Sequence, residues 1–156
     1  MTTNIGLDVG KSQALAEKLN VLLANYQVFY MNVRGYHWNI TGPNFFELHV
    51  KFEEIYDNLV IKIDEIAERI LTLGQRPLHS FQDYLAISGI QSHTNAVTDT
   101  QTLQGTLDGF KALLVLQRDI LFLAGEADDE GTASQMSDYI KEQEKLIWML
   151  NAVSVR

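Results

Sequence analysis

Apolar side chains recur at steps of three and four residues along nearly the whole chain, and few breaks interrupt them. That period belongs to helices with one buried stripe, and strand-type alternation is sustained nowhere. The breakers fall at Gly42-Pro43, Gly74 to Pro77, Gly89 and Gly131, which divides the chain into four long segments.

In the first segment Leu15, Leu19, Leu22, Tyr26, Phe29, Val33, Tyr36 and Ile40 form the stripe, with Ser12 placed to cap its start. The second runs from about Asn44 to Leu73 through Phe45, Leu48, Phe52, Ile55, Leu59, Ile63, Ile66 and Ile70, and Gly74 is a fitting stop. Leu103, Leu107, Phe110, Leu114, Leu121 and Ala124 mark a third helix. Ala133, Met136, Ile140, Ile147 and Leu150 mark a fourth, beyond the acidic stretch Glu126 to Glu130. Short links make helices one and two, and helices three and four, antiparallel neighbours. Residues 75 to 92 must then cross the length of the bundle, with Phe81 to Ala86 able to form a short extra helix on the way. An all-α four-helix bundle with one long crossover is the ferritin-like arrangement. The 156 residues suffice for one such domain, spanning 1–156, and contain no internal repeat or low-complexity tract.

Helix two carries a second face. At about 100° per residue, His49, Glu53, Asp64 and Glu68 cluster roughly 135° from its core stripe. Phe46, Val50, Tyr56, Val60, Ala67 and Leu71 lie among them, too much apolar surface to leave in water without a partner. His49 with Glu53, and Asp64 with Glu68, are i, i+4 pairs, the spacing that lets two side chains of one helix grip one ion. The pairs stand about 22 Å apart at 1.5 Å rise per residue, so one chain cannot close them on a single ion. Two copies of helix two packed antiparallel about a two-fold axis can. The register that sets His49 opposite Glu68 also sets Glu53 opposite Asp64, Phe46 opposite Leu71 and Val50 opposite Ala67, the self-complementarity an isologous interface needs. Without a cation, carboxylates brought together in this way would repel. His37, just before the Gly42 turn, falls within reach of His49 and brings the candidate set to five: His37, His49, Glu53, Asp64 and Glu68. Imidazole and carboxylate without sulfur suit iron(II), manganese or zinc rather than copper(I).

Composition narrows the function classes. A net charge of −8 gives no electrostatic footing for a phosphate backbone, so nucleic-acid binding is disfavoured. The absence of cysteine excludes disulfides, thiolate metal sites and a cysteine nucleophile. Neither an export signal nor a membrane-length apolar run is evident, and a cytoplasmic protein is expected.

The run His37-Trp-Asn-Ile-Thr-Gly-Pro-Asn-Phe-Phe-Glu-Leu-His49, continuing through Phe52-Glu-Glu-Ile-Tyr56 to Asp64-Glu-Ile-Ala-Glu-Arg69, resembles the signature of the Dps family of mini-ferritins. The likeness extends to Tyr84-Leu-Ala-Ile-Ser88 in the crossover and Leu146-Ile-Trp-Met-Leu150 at the end. It implies a dodecameric shell with iron-oxidising sites shared between two-fold-related chains: His37, His49 and Glu53 from one chain, Asp64 and Glu68 from its partner. It implies a ferroxidase that oxidises iron(II), preferentially with hydrogen peroxide, stores ferric mineral and protects against oxidative stress.

Two positions depart from the family pattern. Glu53 stands where many members have aspartate. Where DNA-binding members often carry a lysine-rich terminal extension, Lys11 is here the only basic residue before Lys18, and the sequence ends almost directly after helix four. Trp38 has two readings, a packing anchor or, by resemblance, a radical trap beside the site. Glu126, Asp128, Asp129, Glu130 and Asp138 are a solvated helix junction or, by resemblance, contributors to a three-fold iron pore. His79 and His93 lack acidic partners at ligand spacing and read as ordinary surface or core histidines. Rival readings are a nucleoid DNA-condensing protein and an oligomer stapled by zinc for assembly alone.

Overall fold

The protein, described here by a computed structural model over residues 1–154, consists of α1 (Val9–Asn39), α2 (Phe45–Thr72), α3 (Phe81–Ile87), α4 (Asp99–Glu126) and α5 (Glu130–Ser154). No strand occurs among the described residues; Thr2 and Asp8 form a single isolated bridge. The expected end of the chain just past the last helix involves positions 155 and 156, which lie outside the described residues. No helix is long and apolar enough to cross a membrane among the described residues.

Helix α1 packs along α2 and α4, and α5 packs along α4. The predicted stripes meet in one core, in which Leu15, Leu19, Leu22, Tyr26, Phe29, Phe52, Leu59, Ile66, Ile70 and Phe110 are all but inaccessible. On α4, however, Leu113 and Ile120 are buried in place of the expected Leu114 and Leu121, which are half-buried. Helix α2 ends in a Schellman turn: Gly74, at φ +88°, donates to the Leu71 carbonyl and Gln75 to that of Ile70. Across α2 and α5 the links are polar. Lys62, only 4% exposed, pairs with Glu142 and Asn58, while the Tyr139 hydroxyl donates to Glu65 at 2.7 Å.

The ends differ from expectation in three places. Asp8, not Ser12, caps α1, its carboxylate accepting from the Lys11 amide at 2.8 Å, while Ser12 is buried inside the helix. Helix α4 begins at Asp99 through a Thr98/Gln101 capping box, so the crossover runs past residue 92 to 98. Gly131 does not break the chain: it lies in the first turn of α5, where a Cβ would press on the Arg69 guanidinium.

Three α1 asparagines hold the crossover. Asn20 donates to the Arg76 carbonyl and accepts from Leu78; Asn25 accepts from Ser88, Gly89 and Ile90; Asn32 donates to the Gln91 carbonyl and accepts from His93. Each amide stands in for the ladder partner that the irregular crossover backbone lacks.

Candidate metal centre

A ferritin-like bundle often carries its metals at its own centre, on inward-pointing glutamates and histidines. Here that centre is filled. Tyr26 donates to Gln117 at 2.5 Å, Gln117 to Gln143 at 2.8 Å, and Gln143 back to the Tyr26 oxygen at 2.8 Å, closing a ring across α1, α4 and α5. All three residues are buried, and burial holds the Tyr26 hydroxyl well above its usual pKa. A neutral ring of mutual hydrogen bonds offers no anionic ligand at that centre.

At the α1–α2 corner, chain reversal through Gly42 and Pro43 brings the end of α1 against the start of α2. The turn is fixed to α4, because the Thr41 amide and hydroxyl both donate to the Val97 carbonyl, and Asn44 donates to Asp99. The corner sets the His37 and His49 rings face to face, with centroids 3.8 Å apart and planes 11° from parallel. Each ring bonds the other residue's backbone: His37 Nδ1 to the His49 carbonyl at 2.6 Å, and His49 Nδ1 to the His37 carbonyl at 2.7 Å. A carbonyl only accepts, so each Nδ1 carries a proton, and in the neutral ring that puts the lone pair on Nε2, the arrangement found in metal-ligating histidines.

His37 Nε2 lies 3.9 Å from the Glu53 carboxylate, whose other neighbour is the Tyr56 hydroxyl at 3.4 Å. Tyr56 stands edge-on to His37 and stacks on Tyr30, 6.0 Å between centroids and 5° from parallel. Partial desolvation and then the Glu53 charge raise the Tyr56 pKa, while Arg34 opposes them. His37 is buried, whereas Glu53 is half exposed and faces solvent in the single chain.

Of the five candidate ligands the structure thus gathers His37, His49 and Glu53. Asp64 and Glu68 are exposed three and four turns farther along α2, and no group of three or more potential ligands converges in metal-holding geometry among the described residues of one chain. Most of the expected second face is present: Phe46 is 77% exposed and Leu71 58%, with Val50 and Val60 also open, whereas Tyr56 and Ala67 are half-buried against the core. It is wider than helix two alone suggested. Met31 of α1 and Phe81 and Leu85 of α3 are exposed too, and with Tyr30, Arg34 and Val60 they line one groove of about 530 Å³. Periodicity within a seven-residue helix is too short to announce such a face.

Trp38 is exposed, with the Arg34 guanidinium 5.0 Å from its ring. His79 stays on the surface, and the His93 ring is engaged by the Tyr36 hydroxyl at 2.5 Å. Among the acidic residues, Asp129 is buried, paired with Arg69 at 2.7 Å and bonded to the Thr132 amide and hydroxyl. It is consumed in capping α5, whereas Glu126, Asp128, Glu130 and Asp138 are exposed.

Residues 16–155 match the family model for the ferritin-like domain. The "DNA protection during starvation protein" of Porphyromonas gingivalis is 41% identical over 151 residues, covering 97% of this chain and 95% of that one. The crystal structure of a DPS protein from Vibrio cholerae O1, described as a member of a broad superfamily of ferritin-like diiron-carboxylate proteins, superposes with a TM-score of 0.97 at 64% identity, over 99% of this chain and 97% of that one. A Dps protein from Bacillus brevis superposes with a TM-score of 0.91 at 34% identity, covering 99% and 100%.

Proposed function

Since the chain belongs to the Dps family of ferritin-like proteins, we propose that it is a ferroxidase: it takes iron(II) as substrate at sites completed by a second copy and stores the ferric product inside a closed, dodecameric shell. The observation that carries this reading is the reciprocal pair of Nδ1–H···O=C bonds, which stacks the two imidazoles and leaves His37 Nε2 3.9 Å from the Glu53 carboxylate, on a face rich in exposed apolar side chains. The ligands are His37, His49 and Glu53 of one protomer with the partner's Asp64 and the partner's Glu68.

Antiparallel pairing of α2 supplies the missing carboxylates and covers Phe46, Val50, Val60 and Leu71 in the same step. Four side chains from each copy, at roughly 1–2 kcal/mol each for partly exposed groups, are of the same order as the cost of association. Hard carboxylates favour iron(III) over iron(II) and so lower the barrier to electron loss. Two iron(II) ions each give up one electron, and one hydrogen peroxide accepts both as its O–O bond breaks. The oxygens leave as hydroxide or oxide in the ferric product, and no hydroxyl radical is released. The exposed Glu126, Asp128, Glu130 and Asp138 are available to draw cations toward the interior; Asp129 is not. A cytoplasmic setting, where iron(II) and peroxide meet, suits this role.

Anaerobic loading with iron(II), followed by metered peroxide, tests the proposal. The expected result is consumption of one peroxide per two iron(II), no spin-trapped hydroxyl radical, and ferric iron co-eluting with the assembled protein on size exclusion. Oxidation no faster than in buffer, with zinc bound at the same ligands, would establish the assembly-only staple in its place.

A further inference from the structure

Arg34 lies on α1, one turn before His37. Its guanidinium carbon is 4.9 Å from the Tyr56 ring centroid, 5.0 Å from that of Trp38 and 5.5 Å from that of Tyr30, and Nη1 donates to the Tyr30 hydroxyl at 2.8 Å. Three ring faces restrain the guanidinium plane. Among the described residues no carboxylate lies within ion-pair distance of it, whereas Arg69 and Arg118 each hold one at 2.7 Å. Its Nε–H is buried and has no acceptor. That N–H is closed off inside the chain, but the guanidinium edge is not. Arg34 is only half-buried, Nη1 is spent on Tyr30, and Nη2 has no acceptor among the described residues. A restrained cation in a chain of net charge −8 thus presents an open donor to a carboxylate from outside.

The antiparallel α2 register identifies one. It sets the partner's Asp64 opposite Glu53, and Glu53 is the carboxylate that the Tyr56 hydroxyl reaches from beneath the Arg34 guanidinium. The partner's Glu68 falls opposite His49, a turn farther on. We propose that Arg34 is a positioning residue for the shared site, donating across the two-fold contact to the partner's Asp64. This rests on the split-site reading above. A carboxylate has lone pairs enough to accept an arginine N–H on one oxygen and ligate iron with the other. Arg34 thereby offsets the repulsion among Glu53 and the partner's two acids before iron arrives, and holds one of those acids in its ligating orientation.

The test is a double-mutant cycle on the full-length, metal-free assembly with Arg34→Gln and Asp64→Asn, reading protomer dissociation on dilution. Expected is a coupling of at least about tenfold in the dissociation constant, or ~1.4 kcal/mol. A parallel cycle with Asp57→Asn, the carboxylate the register brings toward Val60, should be additive. Cobalt(II) titration followed by visible absorption adds a readout that loss of packing alone would not move. Arg34→Gln should weaken cobalt binding several-fold when Asp64 is present and leave it unchanged in the Asp64→Asn background, with Arg34→Lys intermediate. Should Arg34→Gln fail to assemble, Arg34→Lys carries the same cycle. Additive effects, or coupling to Asp57 instead of Asp64, overturn the proposal. Failure of the wild-type protein to oxidise iron would refute the functional reading while leaving the metal-free coupling intact, so the two are separable.

Discussion

Replacing Asn25 by alanine should release the middle of the crossover, residues 88–90, from the bundle. The Asn25 side chain is 2% exposed, and its Oδ1 accepts from Ser88 Oγ at 3.2 Å, Gly89 N at 3.1 Å and Ile90 N at 2.9 Å, while Nδ2 donates to the Val21 carbonyl at 2.8 Å. Each bond is worth about 1 kcal/mol net, and a donor left dry costs about 1–3 kcal/mol. Gly89 is exposed and Ile90 only half-buried, so water can satisfy part of what alanine removes. The loss works out at about 2–4 kcal/mol. For a chain of this size each kcal/mol moves the melting temperature by about 2–4 °C, giving a fall of roughly 4–16 °C. The assay is thermal unfolding of metal-free protein at fixed protomer concentration, because assembly itself contributes to the midpoint. Amide exchange should rise at Gly89 and Ile90 and stay slow in mid-α1. Asn25→Asp, which keeps the acceptor, should retain protection at those amides. A melt within about 1 °C of wild type, with Gly89 and Ile90 still protected, would refute the claim that this amide anchors the crossover.

Burial raises the pKa of Tyr26 and Tyr139 strongly and that of Tyr36 to about 12. The stability they confer is therefore intact below about pH 10, and the part due to Tyr36 is lost as pH climbs through about 12. Absorbance at 295 nm should show these three phenols un-ionised until the fold opens, and Tyr36→Phe should flatten the alkaline loss. Gly109→Ala drives a Cβ into the Phe29 ring, which stands edge-on to Phe110 at 5.0 Å; a loss of about 1–3 kcal/mol in urea unfolding is expected, relieved by Phe29→Leu. Plasmid DNA should not be retarded at roughly physiological salt without added metal, since every copy brings a net charge of −8. Tight, salt-sensitive retardation would contradict this.

Where one rule governed a residue, it was legible in the sequence. The i, i+4 steps of α2 carried both its core stripe and its second face, and the Gly42-Pro43 reversal was enough to bring His37 to His49. Residues serving two elements were not legible. Asn25 and Asn32 interrupt the apolar pattern of α1 as if they were flaws, because their partners are crossover backbone groups with no pattern of their own. Gly131 reads as a breaker, yet its bare Cα makes room for Arg69, a contact set by how α2 and α5 approach. The capping box of Thr98 and Gln101 lies in a polar stretch that drowns its signal, which is why the crossover ran longer than expected. Arg34 gave no sign at all, since only the fold brings Tyr30, Trp38 and Tyr56 around it.

The central claim is that each oxidation site is divided between two chains, and mixing two inactive variants tests it most directly. His49→Ala and Asp64→Ala each damage every site of their own assembly, so each alone should lose fast iron(II) oxidation. In a dimer of one chain of each kind, one site carries both lesions. The other joins an intact His49 to the partner's Asp64, also intact. Random pairing makes half of all dimers mixed, so co-refolded protein should recover about a quarter of the wild-type initial rate. No recovery, with mixed assembly verified by mass spectrometry, would contradict the account, because a site contained in one chain cannot be rescued by a chain carrying a different lesion.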